Sequence, residues 1–300
     1  MAEPAAPVTF TFDLEEHRDD GRGGRYAENT ERLLAFFAVH DIRATVFVVG
    51  ELALAEPHLL RRIDAAGHEL ALHSWSHTPL TVDEPARFGA RLERCRKFVE
   101  DLTAKPVQGF RAPIFSLTPA SRWVLDILTE QGFTYSSSVL PGHHPLFGYA
   151  GAPRRPFRWP CGLLELPAPA VDCWGIAIPF LGGIYLRYLP RALVAYWLRR
   201  LPPATLPWSY VHPYDVDSRE TYYRFPGTSS WMSVALWRRR RTTCARLAAL
   251  LTAAGNRSAP PLAELVASGR YADAPYFSTV ATVSPLPARA GVNDDQVPVD

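Results

Sequence analysis

Residues 8–15 read Val-Thr-Phe-Thr-Phe-Asp-Leu-Glu, an extended apolar run that ends in two carboxylates. Alternating β-branched and aromatic residues favour a buried strand. A carboxylate pair at the C-terminal edge of a strand can divide two tasks, with one carboxylate on a metal ion and the other acting as a base. Asp13 and Glu15 are therefore the first candidate site residues.

Short β-rich runs alternate with helical patterns along most of the chain, which predicts an α/β fold. The repeated order of strand, helix and strand predicts parallel pairing, because parallel neighbours need a crossover connection. Five or more such units suit a barrel at least as well as an open sheet. The predicted strands are Val8–Phe12, Ala44–Val49, Glu69–Leu72, Val107–Phe110, Phe133–Tyr135 and Trp208–Val211, and the predicted helices are Asn29–His40, Pro57–Ala66, Pro85–Leu102, Pro119–Gln131, Arg191–Leu201 and Ser233–Leu251.

Polar residues stand where several of these strands end. Asp13 and Glu15 end the first strand, His73 follows the third, Arg111 the fourth and His212 the last. The C-terminal ends of parallel strands meet at one face, where barrel enzymes build their sites. Carboxylates and histidines are also the side chains with which a hydrolase holds a divalent metal ion and moves protons around it.

The composition permits an enzyme of this kind. A chain of 300 residues with 47% hydrophobic and 21% charged residues can form one large domain with a deep core. A net charge of +2 gives no overall reason to expect a nucleic acid partner. The four cysteines are far apart, which favours reduced thiols. With no export signal and no membrane-spanning run, we expect a cytoplasmic protein.

The chain divides into three parts by its patterns. We expect an N-terminal extension over residues 1–7, a barrel domain over 8–270 and a partly flexible C-terminal tail over 271–300. Pro, Gly and aromatic residues crowd together at about 141–207, which predicts an irregular insertion in the barrel domain. The sequence has no internal repeat and no glycine-rich phosphate loop.

Four short motifs follow one another along the chain: Thr11-Phe12-Asp13-Leu14, His73-Ser74-Trp75-Ser76-His77, Arg111-Ala112-Pro113 and Val211-His212-Pro213. With these motifs in this order, the chain resembles the NodB-type polysaccharide deacetylases over roughly residues 8–270. It is most similar to the branch associated with bacterial exopolysaccharide clusters, since its first motif reads Asp-x-Glu. The resemblance implies a distorted (β/α)7 barrel and metal-dependent removal of an acetyl group from an N-acetylated sugar.

The resemblance also implies a metal centre. Glu15, His73 and His77 would hold one divalent ion, and zinc suits imidazole and carboxylate ligands with an open position. The family's usual second aspartate is Leu14 here, so we assign its ligand role to Glu15. His17 lies close enough in sequence to be an alternative ligand.

For the chemistry, the resemblance implies that Asp13 acts as the base and that Arg111 orients its carboxylate. The backbone N–H of Ile114, just after Pro113, would donate to the oxyanion. His212 would protonate the leaving amine, a task suited to a side chain that titrates near neutrality.

A second departure concerns the residue that normally orients the arginine. The family's fourth motif usually carries an aspartate, where this chain reads Tyr135-Ser136-Ser137-Ser138. The partner of Arg111 is therefore weakened or supplied from elsewhere. Leu14 and Ser136 together motivate the alternative of a catalytically silent carbohydrate-binding relative. Another alternative is a metal-dependent amidohydrolase on a small non-sugar amide.

The run Arg238-Arg239-Arg240-Arg241 is a separate candidate. On one continuous helix the arginines Arg238 to Arg240 would point outward, opposite an apolar stripe. They form either a solvated helix face or a contact with the phosphates of a lipid-linked sugar or an anionic membrane. A cytosolic enzyme meets its substrate before export. This favours a nucleotide-linked or lipid-linked sugar over finished polymer, and peripheral contact with the inner membrane face.

Overall fold

The computed structural model describes residues 5–18 and 24–278. Within these ranges the strands are β1 (Thr9–Leu14), β2 (Thr45–Val48), β3 (Glu69–Leu72), β4 (Gly109–Phe110), β5 (Tyr135–Ser136), β6 (Phe157–Arg158), β7 (Leu164–Glu165), β8 (Val171–Cys173), β9 (Ile176–Ile178) and β10 (Trp208–Val211). The helices are α1 (Tyr26–Val39), α2 (Gly50–Ala55), α3 (Pro57–Ala65), α4 (Pro85–Thr103), α5 (Trp123–Glu130), α6 (Gly183–Tyr188), α7 (Arg191–Arg199), α8 (Ser230–Trp237), α9 (Thr243–Ala253) and α10 (Leu262–Ala267).

The main sheet has the strand order β10-β1-β2-β3-β4-β5-β7-β6. Its first seven strands are parallel, and β6 pairs antiparallel with β7 at one edge. Among the described residues no strand pairing joins β6 back to β10, so the curled sheet forms a half-barrel. The predicted α/β class is confirmed, with the helical crossovers that parallel strands require.

The curled sheet has a core on each face because strand residues alternate. Phe10, Phe12 and their equivalents on neighbouring strands pack outward against the helices. Phe47 and Trp208 point inward and pack in a second cluster. Leu262 and Leu265 of α10 join this inner cluster. The backbone N–H of Leu262 donates to the hydroxyl of Thr45, at the start of β2, so α10 covers the N-terminal ends of the strands.

Residues 141–207, which we expected to be irregular, supply β6 to β9, α6 and α7. Among these elements β7 is the seventh parallel strand of the main sheet. The packed chain also runs past residue 270, where we expected the domain to end. The N–H of Phe277 donates to the carbonyl of Arg158, and its ring lies 5.2 Å from that of Phe157. Residues 1–4 of the predicted extension and 279–300 of the predicted tail lie outside the described residues.

The long helix predicted over Ser233–Leu251 is wrong, because it is two helices. α8 ends at Trp237, and Arg239 has a left-handed φ of 61° before α9 begins. The carbonyl of Leu236, near the end of α8, accepts hydrogen bonds from Arg187 Nη1 at 2.9 Å and Arg240 Nε at 3.1 Å. These side chains satisfy a helix end that a continuous helix would have satisfied internally.

All four cysteines are free, and Cys95 is buried against the core. No helix in the described ranges combines the length and the apolar character that crossing a membrane requires.

Candidate active site

The C-terminal edge of the sheet carries the site. Asp13 lies near the end of β1 and Glu15 follows it, two residues apart and therefore on the same inner face of the extended chain. His73 follows β3, Arg111 follows β4 and His212 follows β10. Parallel pairing of β10, β1, β2, β3 and β4 places these five side chains at one end of the half-barrel.

Glu15, His73 and His77 form a group that could hold a metal ion. Each offers one ligand atom, and these atoms all lie within 4.8 Å of one another. Glu15 Oε2 is 3.5 Å from His73 Nε2 and 2.5 Å from His77 Nε2. His77 reaches the group through a turn, with left-handed φ values of 63° at Ser74 and 57° at His77 itself. Non-glycine residues adopt this backbone region only where the surroundings impose it.

The donor set fits a divalent ion. Glu15 Oε2 is buried and makes no well-aligned hydrogen bond within the described residues, so a buried carboxylate oxygen is left for another partner. His73 Nδ1 is 2.8 Å from the carbonyl oxygen of Arg111, which leaves its Nε2 free to act as a ligand. Burial would raise the pKa of Glu15, but the charges of His77 and His212 outweigh it and hold that pKa well below its usual range.

Asp13 is held by Arg111. Arg111 Nη1 donates to Asp13 Oδ1 at 2.7 Å and to the hydroxyl of Thr11 at 2.9 Å, and both members of the ion pair are buried. The second oxygen, Asp13 Oδ2, is 3.9 Å from His73 Nε2 and 3.9 Å from His212 Nε2. The carboxylate therefore has one oxygen fixed by the guanidinium and one facing the histidines.

Ser137 orients Arg111. Arg111 Nε donates to the Ser137 carbonyl at 3.2 Å, and Nη2 donates to the Ser137 hydroxyl at 3.1 Å. The guanidinium lies between the rings of Phe47 and Trp208, with its carbon 3.9 Å and 4.2 Å from their centroids. In the family that the motifs resemble, an aspartate near Ser136 would orient Arg111. Neutral hydrogen bonds to Ser137 and the two aromatic rings hold the guanidinium instead.

His212 has a carboxylate partner that the sequence analysis did not assign. His212 Nδ1 is 2.7 Å from Asp215 Oδ2, and Asp215 Oδ1 is 3.1 Å from Arg187 Nη2. The ring of Tyr214 is stacked on the imidazole, with 4.7 Å between centroids and a 5° interplanar angle. These contacts fix the ring so that Nε2 faces Asp13.

The same chain of contacts sets the charge on His212. Burial would raise the pKa of Asp215, but the charges of Arg187 and His212 outweigh it and lower that pKa to about 2. Burial would lower the pKa of His212, but Glu15 and Asp215 outweigh it and raise that pKa to about 9. His212 is therefore a cationic acid at neutral pH in this arrangement.

Asp215 stands three residues after His212 and could have been found from that spacing, whereas Arg187 gave no local signal.

The turn after Arg111 is strained. Ile114 and Phe115 have φ values of 55° and 54°, which are unusual for a β-branched and an aromatic residue. The N–H groups of Phe115 and Ser116 donate within the turn, to the carbonyls of Ala112 and Pro113. Ile114, whose N–H is the predicted oxyanion donor, is 43% exposed.

His17, the alternative ligand, is not a member of the group that could hold a metal ion. Its Nε2 is 3.0 Å from Glu220 Oε2, and its Nδ1 is 3.3 Å from Glu16 Oε1. Its ring is stacked on that of Phe225 at 5.3 Å. Both ring nitrogens of His17 therefore already face carboxylates.

The four arginines of the run 238–241 differ in their exposure. Arg238 and Arg239 are exposed, but Arg240 is 3% exposed and pairs with the buried Glu220. The helix break at Arg239 turns Arg240 inward, where Nη1 reaches that carboxylate. The prediction that Arg240 points outward is therefore wrong.

The fold and this edge agree with a partial match of the chain to the polysaccharide deacetylases. Residues 2–136 match the family model for polysaccharide deacetylase, and residues 137–259 match a domain of unknown function, DUF3473. Residues 2–136 therefore form a polysaccharide deacetylase domain, the family that the motifs of this chain resemble. The DUF3473 segment completes the same sheet with β7 and β10 and supplies His212, Asp215 and Arg187.

Curated relatives align over short stretches. A peptidoglycan deacetylase-like protein of Gibberella zeae is 32% identical over 34% of this chain and 29% of its own length. A chitooligosaccharide deacetylase of Sinorhizobium fredii is 42% identical over 26% of this chain and 32% of its own length. The chain thus spans less than a third of the length of these relatives. The crystal structure of a candidate polysaccharide deacetylase from Mycobacterium smegmatis shares the fold, with a TM-score of 0.59 at 20% identity over 94% of this chain and all of that one.

Proposed function

We propose that the protein is a metal-dependent hydrolase that removes the acetyl group from an N-acetylated sugar. The proposal rests on two pairs of side chains that meet at one edge of the sheet. Arg111 holds the carboxylate of Asp13, and Asp215 is paired with the imidazole of His212. Asp13 Oδ2 lies 3.9 Å from His212 Nε2 and 3.9 Å from His73 Nε2. His212 Nε2 lies 4.0 Å from Glu15 Oε1, so both residues adjoin the group that could hold the ion.

Glu15, His73 and His77 would hold the divalent ion, and we propose zinc because two imidazoles and one carboxylate leave it an open position. When bound, this ion supplies Lewis acidity that polarises the acetyl carbonyl and makes water more acidic.

The other residues move and hold protons. Asp13 Oδ2 accepts the proton of the attacking water, while Arg111 keeps the other oxygen in place. The N–H of Ile114 donates to the oxyanion of the tetrahedral intermediate. His212 Nε2 donates its proton to the departing amine nitrogen, and Asp215 stabilises the imidazolium from the other side of the ring.

For the finer identity of the substrate, we propose a sugar carried on a lipid diphosphate in bacterial glycan biosynthesis. The exposed arginines Arg238 and Arg239, just past the end of α8, support a sugar linked to a diphosphate over a free sugar. A lipid-linked N-acetylamino sugar should be deacetylated faster than the same sugar in free form, and equal rates would remove lipid linkage from the proposal.

The deciding experiment measures metal content and acetate release on the same purified protein. We expect one zinc per chain and stoichiometric release of acetate and a primary amine from an N-acetylated sugar. Zinc without turnover on any acetylated sugar would instead identify a silent carbohydrate-binding relative. Turnover confined to small non-sugar amides would identify an amidohydrolase.

A further inference from the structure

The charges of this chain are segregated. Residues 173–214 and 221–263 contain eleven arginines and not one Asp, Glu or Lys. The remaining residues hold 21 of the 32 basic side chains and all 30 acidic ones. The net charge of +2 is therefore the sum of +11 in these two stretches and −9 in the remaining residues. Asymmetry of this kind is typical of proteins that meet an anionic surface.

The described arginines of these stretches differ in burial and in ion pairing. Arg187 and Arg240 are buried and face Asp215 and Glu220. Arg238, Arg239 and Arg241 are exposed, and none of the three forms an ion pair with any carboxylate of the described residues. Arg239 lies over the ring of Tyr188 at 4.7 Å, and no carboxylate of the described residues neutralises the three charges, which leaves them to an external anion.

α8 places apolar side chains next to these cations. Ser230–Trp237 contains no charged residue, and it exposes 69% of Trp231 and 36% of Val234. Trp231 and Val234 are three residues apart and share one face of the helix, and Arg238 is the first residue after its end. An exposed tryptophan beside arginines is typical of a segment at a membrane interface.

We propose that this α8 surface, made of Trp231, Val234, Arg238, Arg239 and Arg241, docks on a bilayer of anionic phospholipid. The arginines bind headgroup phosphates, and the two apolar side chains enter the layer beneath them. Nucleic acid would satisfy the arginines alone, whereas a bilayer also receives the apolar face. This inference concerns binding only and does not depend on the proposed reaction.

The α8 surface is joined to the catalytic edge through Arg187. Arg187 Nη1 donates to the carbonyls of Leu236 and Arg238 at 2.9 Å each, at the end of α8. Its Nη2 is 3.1 Å from Asp215, which in turn contacts His212. A bilayer bound at the α8 surface would therefore lie two side chains from the catalytic histidine.

Co-sedimentation with vesicles tests the proposal without measuring turnover. We expect the protein to bind vesicles of equimolar phosphatidylglycerol and phosphatidylcholine, and not vesicles of phosphatidylcholine alone. Arg238→Gln with Arg239→Gln keeps the backbone contacts of Arg187 and should weaken partitioning about 30-fold, since each basic residue at an anionic surface contributes roughly fivefold. Trp231→Ser leaves the charge unchanged and should weaken it about tenfold.

The matched control is Arg61→Gln with Arg155→Gln, two exposed arginines elsewhere on the chain. This pair should bind vesicles as the parent does, and circular dichroism should show all variants folded. An equal loss in the control pair, full binding by the Arg238 and Arg239 pair, or unchanged binding by Trp231→Ser would each overturn the proposal. Tighter binding to double-stranded DNA than to the anionic vesicles would also overturn it and identify a nucleic acid surface.

Discussion

Arg187 and Asp215 form a buried ion pair, with 3.1 Å between Nη2 and Oδ1 and 1% exposure of each side chain. The other oxygen of Asp215, Oδ2, is 2.7 Å from His212 Nδ1. The charge state of His212, the proposed acid, is thus coupled to Arg187, which lies 25 residues earlier in the chain on α6. Because Arg187 also holds the end of α8, this pair has both a structural and an electrostatic role.

Replacing Asp215 with Asn should lower the pKa of His212, because it removes a negative charge 2.7 Å from the imidazole. The alkaline limb of the kcat profile should then move to lower pH by one unit or more, since His212 must be protonated to donate. The profile of Asp217→Asn, two residues away, should stay in place. An unmoved alkaline limb in a folded Asp215→Asn protein would show that Asp215 does not tune the acid.

Asp13→Asn should keep the metal ion and lose activity by at least ~10², the usual scale for a lost general base. Metal content and acetate release should be measured on one preparation. Thr11→Val removes a different partner of Arg111 and is the control for disturbed packing. Near-normal turnover by Asp13→Asn would take the carboxylate out of the mechanism.

His73→Ala combined with His77→Ala should remove the bound ion, because only Glu15 of the ligand group would remain. Zinc content by atomic emission is the readout. His58→Ala, on α3 and away from the site, should retain the parent's zinc. Stoichiometric zinc in the double variant would mean that the ion binds elsewhere.

Arg240→Ala should destabilise the fold by about 1–3 kcal/mol, because it removes one partner of the buried Glu220 carboxylate, which keeps His17 and Arg18. Arg238→Ala, an exposed neighbour, should change stability by less than about 0.5 kcal/mol. Urea unfolding of both variants measures the difference. Equal midpoints would contradict the inward placement of Arg240.

Stability should fall between pH 6.5 and pH 4 through His68. Burial, reinforced by the charge of Arg43, lowers the pKa of His68 to about 4, and its Nδ1 accepts a hydrogen bond from the N–H of Ala44. In the unfolded chain the usual pKa is 6.5. The unfolded chain therefore binds more protons across this window, and the stability present above pH 6.5 is lost as pH falls.

The expected loss from His68 is ~2 kcal/mol after allowance for partial solvent access. His68→Gln keeps an acceptor for Ala44 but cannot titrate in this range, so its stability should fall less steeply. Urea unfolding from pH 4.5 to pH 7.5 measures both curves. Parallel curves for the parent and the variant would assign the acid sensitivity to other groups.

The sequence predicted the parts of the site that follow apolar runs. Each of Asp13, His73, Arg111 and His212 comes at the end of a strand, and parallel pairing alone brings strand ends to one edge. Arg187 could not be predicted in this way, because it acts from a helix whose position depends on tertiary packing. The break after α8 was missed for a similar reason. Arginine favours a helix locally, but the contact of Arg240 with Glu220 overrides that preference.

The pairing of β1 with β10 has a consequence for synthesis of the chain. β1 is the first strand made, and Thr11 pairs on one side with Thr45 and on the other with Tyr210. Ribosomes add about 5–20 residues per second, so the edge of β1 that pairs with β10 stays unpaired for on the order of 10–40 s during synthesis. During that interval an apolar strand with unpaired backbone groups is open to other chains. The nascent protein is therefore most exposed to aggregation before residue 211 emerges.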